Sequence, residues 1–487
     1  TSDGDGNRDT FDAMPGQDTW YKPQPLIEHR AAITRLRCPR RTNLLISSSL
    51  DGTVRIWTGD TKRKSSLAVL DASSFNLPAS NADHRNVGRG MSAAMDIDLS
   101  SSPSGVSSKI VDGSSPARVR VTNVWAEENC STVWAACSDN ALRVWSGADG
   151  KPARYLRGHE DSVTCLEGLG VSSSTSINRG YADNNDFDAT PGFGSSLVVT
   201  GSADKTVRMW DVRCKKAQIF LFKGHSDTVQ SLRWGEGGRS VITAGKDKTI
   251  RIWDTRAGRL RVSIEKHFGA VSTLRAIPEH LGCTAIGGDD STNTATEVAS
   301  FASGGRDSVV NLWTSTGSCV GSISNHRNGV HYLSDINIMN LMNYNVTKGR
   351  ADPSVSGTKQ GVNRVIPTMF SIGGEGAIKI WDLRRFKMVG DIDVYSANAT
   401  NAARDTTNSK SSESGSKLPL ARGVWADQGI VSAHGREGNI TLWRMNNSGS
   451  WDCRSLAQQQ SVCTDLLSTD SFVASSSKNG KILTWKL

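Results

Sequence analysis

The sequence predicts an all-β chain assembled from eight similar sheets. Two observations carry that expectation. One line is written almost twice, "GSADKTVRMWDVR" from Gly201 to Arg213 and "AGKDKTIRIWDTR" from Ala244 to Arg256, and worn copies of it recur along the chain. Each copy alternates apolar and polar residues with period two up to a Trp, the pattern of a half-buried strand.

The copies end at Trp57 ("SLDGTVRIW"), Trp145 ("CSDNALRVW"), Trp210, Trp253, Trp313 ("GRDSVVNLW"), Trp381 ("GGEGAIKIW"), Trp443 ("GREGNITLW") and Trp485 ("SKNGKILTW"). The spacings between them are 88, 65, 43, 60, 68, 62 and 42 residues. The two shortest match a blade period of ~40–45 residues, so the longer ones hold insertions. An Asp-Lys, Asp-Gly or Asn-Gly pair ahead of a copy is hairpin-turn chemistry. A second apolar run precedes each turn, as in "LVVTGS" and "VITAG". Ahead of five of these runs stands a His: His29, His159, His225, His267 and His326.

A His, then Ser or Thr, then Asp, then Trp, with Trp-Asp closing three copies (Trp210-Asp211, Trp253-Asp254, Trp381-Asp382), resembles the WD-repeat family over about residues 26–487. The resemblance implies an eight-bladed β-propeller of four-stranded antiparallel blades. A seven-bladed ring with one copy outside it is the alternative.

The resemblance also implies that the recurring residues form a hydrogen-bonded chain inside each blade. An imidazole has two nitrogens to satisfy, a hydroxyl both donates and accepts, and an indole donates once. The full sets are His29, Ser47, Asp51 and Trp57; His159, Thr200, Asp204 and Trp210; His225, Thr243, Asp247 and Trp253; and His267, Ser303, Asp307 and Trp313. Glu375 replaces the Asp in copy six, beside His326, Ser371 and Trp381. Copies two, seven and eight lack the His and are expected to rest on apolar packing and to be softer. A structural role for these residues argues against reading His159, Thr200 and Asp204 as a hydrolase triad. His84, His280, His331 and His434 show no metal-ligand spacing. No P-loop, GxSxG or HExxH occurs, so no enzyme activity, cofactor or metal is expected.

The last copy ends on a third strand, so its blade is one strand short. The "PLIE" stretch before His29 is expected to supply it and close the ring, which removes an exposed sheet edge. Residues 1–19 are expected to be a disordered segment and 20–487 a single propeller. Disordered insertions are expected near 72–117, 171–195, 283–298, 343–362 and 396–418, where Ser, Gly and Asn accumulate. By strand order the first and last of these emerge on the face of the Asp turns, here called the top, and the other three below.

The 487 residues carry a net charge of +9 with a pI near 9.1, which favours acidic partners in general. Nine Cys without a CxxC read as small buried thiols in a reducing compartment. No apolar run reaches the ~18 residues of a membrane span, so membrane association is expected only through partners. The start is polar and acidic, unlike a secretory signal. It also opens without Met, which suggests a piece of a longer protein. The chain is therefore expected inside the cell, in the cytoplasm rather than the nucleus.

Propellers of the family usually bind proteins on the top rim. The resemblance names the positions there: the residue before each turn Asp, and those flanking the first inward apolar residue of the first strand. Before the turns stand Leu50, Ser138, Ala203, Lys246, Arg306, Gly374, Arg436 and Lys478. On the first strands stand Thr34, Thr122, Thr164, Gln230, Ser272, His331, Arg422 and Cys463. Cations gather on copies four, five, seven and eight, as Lys246, Arg306, Arg422, Arg436 and Lys478. With Gln230 and His331 they are read as a rim site for an acidic or phosphorylated peptide, because Arg holds carboxylate or phosphate bidentately. Arg55, Arg208 and Arg251 follow strand alternation and are expected to line blade surfaces. Nucleic acid is the weaker partner class, because no aromatic stacking array stands among the basic residues. The expected function is a non-catalytic protein-interaction scaffold. Blade consensus faintly resembles the carboxy-terminal propellers of DENN- and BEACH-domain trafficking proteins and that of the regulatory subunit of the vesicle-sorting lipid kinase. A ubiquitin-ligase substrate receptor and an RNA-associated WD-repeat protein are the other readings.

Overall fold

Turn chemistry and strand alternation together dictate a repeating hairpin unit, and the computed structural model shows how the units assemble. It describes residues 23–39, 42–59, 65–75, 95–98, 119–169, 197–214, 216–278, 299–341, 364–383, 387–394, 422–426, 429–445 and 451–486. Eight antiparallel sheets share one plan, with strands ordered from inside to outside as they follow in sequence. Blade four shows it plainly: Val229–Gly235, Ser240–Gly245, Ile250–Asp254 and Arg259–Ile264. Two blades carry an extra strand. Met95–Asp98 pairs with the outer strand of blade two, and Asn337–Leu341 pairs with Arg364–Gly373 in blade six.

The core is a ring of eight apolar clusters, each shared by two neighbouring blades. Ile242 and Ile252 of blade four, for example, meet Leu274 and Phe301 of blade five. The sequence closes on itself through the cluster of Leu26, Ile482 and Phe472 with Ile33, Leu45 and Trp57. The chain thus forms an eight-bladed propeller, and the seven-bladed alternative is corrected. All eight repeat tryptophans are buried, none more than 2% exposed. Each drives a large apolar area between two sheets.

Closure occurs as expected. Gln24–Ile27 pairs antiparallel with Lys481–Lys486, Leu26 opposite Ile482, and becomes the outer strand of blade eight. Leu26 is buried between that strand and blade one.

Around the axis, side chains of one inner strand bond the next. Thr164 Oγ1 donates to Val229 O, and Ser272 Oγ to Val330 O. The Asp465 carboxylate accepts from Leu36 N at 3.0 Å, joining blade eight to blade one. The Trp425 indole donates to Asp335 O at 2.9 Å, joining blade seven to blade six.

The segment near 72–117 differs from its expectation at two places. Asp71 caps a short helical turn, Ala72–Ser74, and buried Phe75 packs edge-on against Trp145 at 5.2 Å. Met95–Asp98 adds the strand already noted. Ala72 and Phe75 of this Ser-rich stretch pack into the cluster shared by blades one and two, which local composition does not reveal. Residues 1–19 and the expected insertions at 171–195, 283–298, 343–362 and 396–418 lie outside the described residues.

Candidate functional site

Five blades carry the four-residue chain. In blade four, His225 Nδ1 lies 2.7 Å from Asp247 Oδ2 and Nε2 lies 2.8 Å from Thr243 Oγ1. The Trp253 indole donates to the same hydroxyl at 2.8 Å. A carboxylate partner puts the proton on Nδ1, so the hydroxyl donates to Nε2 and accepts from Trp. Blades one, three and five repeat this geometry through His29, His159 and His267. In blade six the longer Glu375 still reaches His326, at 2.5 Å.

Each Asp also receives backbone amides: Asp247 accepts from Ser226 N at 3.0 Å and Thr249 N at 3.1 Å. Burial pushes the Asp247 carboxyl up, but bonds from His225 and these amides outweigh it and hold it at about 2. Burial holds His159, His267 and His326 below the ordinary imidazole value, against the pull of their carboxylates. Every polar atom of these sets is spent on its blade, so the sets tie top loops to inner strands rather than face a substrate.

The blades without His are not bare of polar support. In blade two Arg143 replaces it, gripping Asp139 at 2.9 and 2.8 Å and donating to Ala72 O. Ala135 stands where the hydroxyl belongs, and the Trp145 indole is buried without a partner among the described residues. In blade eight Gln459 takes the His position and donates to Ser475 Oγ at 2.7 Å. In blade seven Trp443 bonds Ser432 Oγ at 2.8 Å. Apolar packing alone is therefore corrected as the basis of these blades, since a buried guanidinium, serine hydroxyl or amide is bonded in each, although the Trp145 and Trp485 indoles find no partner among the described residues.

Seven of the eight residues before the turns occupy equivalent places, because the backbone amide of each bonds the loop ahead of its own first strand. Lys246 N donates to Thr228 O, Arg306 N to Ala270 O and Lys478 N to Val462 O, at 2.8–3.0 Å. Side chains of Lys246, Arg306, Arg436 and Lys478 are exposed. Gln230, His331 and Arg422, on the innermost strands, are half-buried. His331 lies within electrostatic reach of Arg306 and Arg422, and burial with those two cations holds its imidazole low. Lys246 instead faces the Asp227 carboxylate. Arg422 turns inward, its Nε donating to Thr464 O at 3.4 Å. Arg306 and Arg422 thus both act on His331, with Lys246, Arg436 and Lys478 not among the groups acting on it. The Gln230 Oε1 atom is buried without a partner among the described residues.

Two expectations shift. A bulge between Cys463 and Asp465 makes Thr464 the equivalent of Thr34, and each bonds the Ser opposite, Ser476 and Ser48. Cys463 is buried, its thiol pushed up to about 12 by burial, so it leaves the rim set. Arg208 is 2% exposed and reaches Gln218 on the outer strand, so it lies inside its blade rather than on a surface.

Sequence reasoning missed Phe268, which is 87% exposed. It follows His267, and its amide donates to Asp307 Oδ2 at 2.9 Å, which turns the ring outward. The signal was positional: in the four sets with an Asp, the residue after the His has its backbone amide committed and its side chain free. Arg30, Glu160, Ser226 and Arg327 hold the same place, all exposed. Among the described residues no group of three or more His, Cys, Asp or Glu is placed to hold a metal, and no helix is long and apolar enough to cross a membrane.

A closed ring of eight four-stranded blades, five of them locked by a His–hydroxyl–carboxylate–Trp chain, defines a repeat propeller whose exposed top loops present binding surface. The chain carries repeats of the WD-repeat β-propeller family. The family model of the WD domain, G-beta repeat, matches residues 21–58, 150–211 and 216–254. Nuclear distribution protein nudF of Aspergillus niger is 27% identical over 62% of this chain and 58% of its own length. The ribosome biogenesis protein WDR12 homolog of Trichoplax adhaerens is 21% identical over 43% of the chain and 49% of its own. The chain spans about half the length of these curated relatives. The crystal structure of the computationally designed Ika8 protein has the same fold, with a TM-score of 0.54 over 95% of this chain and all of that one, at 18% identity. A propeller of this family is a protein-interaction scaffold, and the fold is generally non-catalytic.

Proposed function

We propose that the top rim of blades five to seven receives an acidic or phosphorylated segment of a partner protein. The supporting observation is that Arg306 and Arg422 both act on His331, with the Phe268 ring exposed on the loop ahead of the blade-five inner strand. Arginine forks suit carboxylate or phosphate, and an exposed aromatic adds apolar contact at low entropic cost. Lys246, Arg436 and Lys478 extend the positive field and steer an acidic partner inward. The scaffold serves membrane trafficking or signalling as a module of a larger protein, in the cytoplasm; the likeness to a nuclear distribution protein fits such a role.

Anisotropy of labelled peptides tests the site. A peptide alternating Glu with Leu, and a phosphoserine version, should bind more tightly than a Lys counterpart. Arg306→Glu with Arg436→Glu should weaken binding at least about tenfold. Equal binding by the double variant rejects the rim. An RNA-associated role gains support from the likeness to a ribosome biogenesis protein; a salt series on single-stranded RNA measures it, and a slope near zero rejects it.

A further inference from the structure

The eight innermost strands carry an uneven charge. They hold five arginines, Arg35, Arg37, Arg233, Arg275 and Arg422, against two carboxylates, Glu167 and Asp465, and no lysine. The carboxylates are already engaged. Glu167 pairs with Arg233 at 3.0 Å. Asp465 accepts the Leu36 amide and lies 3.9 Å from Arg35. Arg275 draws on Asp335 just past the blade-six inner strand, and on the Leu333 carbonyl.

Arg37 is left over. Among the described residues its guanidinium pairs with no carboxylate, and its hydrogen bond is a 3.5 Å contact to the carbonyl of its own neighbour, Leu36. Arg35, Asp465, Arg233 and Glu167, on blades one, eight, four and three, all lie within its electrostatic reach. Arg37, Glu167, Arg233 and Arg275 stand opposite Ile46, Val199, Ile242 and Ala302, the same register position on the innermost strands of blades one, three, four and five, so they share one level around the axis. Burial and the neighbouring cation Arg35 push its guanidinium down to about 10, so the site gains by admitting negative charge.

We propose that the central channel binds a small free anion carrying two or more phosphates, with Arg37 as its principal contact and Arg35 and Arg233 beside it. A guanidinium fork matches phosphate oxygens two at a time, and a channel walled by protein focuses the field of its cations. Several arginines suit a polyphosphate better than a single phosphate. Enclosure by eight strands favours a narrow, free anion over a folded partner. This site is separate from the rim and does not depend on it.

The test is calorimetric titration of the full chain with inorganic tripolyphosphate at ~0.15 M salt, where surface charge is screened beyond about 8 Å. Saturable binding of one equivalent is expected. Arg37→Gln should weaken it at least about tenfold, whereas Arg306→Glu with Arg436→Glu should leave it unchanged. A rise in wild-type melting temperature with tripolyphosphate is a readout that needs no variant. Absence of saturable heat in the wild type, or equal affinity in a folded Arg37→Gln protein, overturns the site. Loss of peptide binding at the rim with tripolyphosphate binding intact would overturn only the rim.

Discussion

Replacing Thr243 with Val removes one oxygen and keeps nearly the same shape. That oxygen is the junction of blade four: it lies 2.8 Å from His225 Nε2 and 2.8 Å from the Trp253 indole nitrogen. Both partners are buried, so no water replaces it. Each stranded polar group costs about 1–3 kcal/mol, which puts the loss at about 2–6 kcal/mol for the pair. Guanidinium unfolding followed by tryptophan fluorescence reads the change. A loss below about 0.5 kcal/mol, the range of an inconsequential surface substitution, would show that the chain of bonds contributes no stability.

Other consequences follow from the same geometry. Ala135→Ser in blade two offers the unpartnered Trp145 indole an acceptor and should raise stability by about 1 kcal/mol in the same assay; unchanged stability contradicts it. Lys248 sits at a φ of 67°, where glycine is unstrained. Lys248→Gly should therefore stabilise by about 1 kcal/mol, and destabilisation would refute the strain. For pH, the folded values of His159, His267 and His326 lie below the unfolded value, so the unfolded chain binds more protons. Their contribution is full above about 6.5 and lost as pH falls through the folded values. Asp247, held at about 2, adds a second loss below about 3.9. Denaturation midpoints should therefore hold level from pH 8 to about 6.5 and fall from there to pH 5; a series that stays flat or rises below about 6.5 refutes the assignment.

Much of the fold was legible because each blade repeats the same local solution. The Trp, the turn and the hydroxyl stand at fixed offsets, and "PLIE" lacks a blade of its own. What stayed hidden depended on contacts between distant segments. Arg143 reads as an ordinary strand residue until Ala72 O and Asp139 are seen on either side of its guanidinium. Gln459 lies four residues before Cys463, the spacing of His29 to Ile33, but its amide chemistry disguised the equivalence. The rim positions were readable one by one. Which of them meet was not, because the inward turn of Arg422 and the outward turn of Phe268 follow from bonds made elsewhere.

The account rests on the ring being closed by Gln24–Ile27 against Lys481–Lys486. Native-state hydrogen exchange with mass spectrometry on the peptides holding these two strands tests it most directly. Paired strands should exchange slowly and together, with the protection of the blade-four inner strands. Exchange of both within seconds, while blade four stays protected, would contradict the closure.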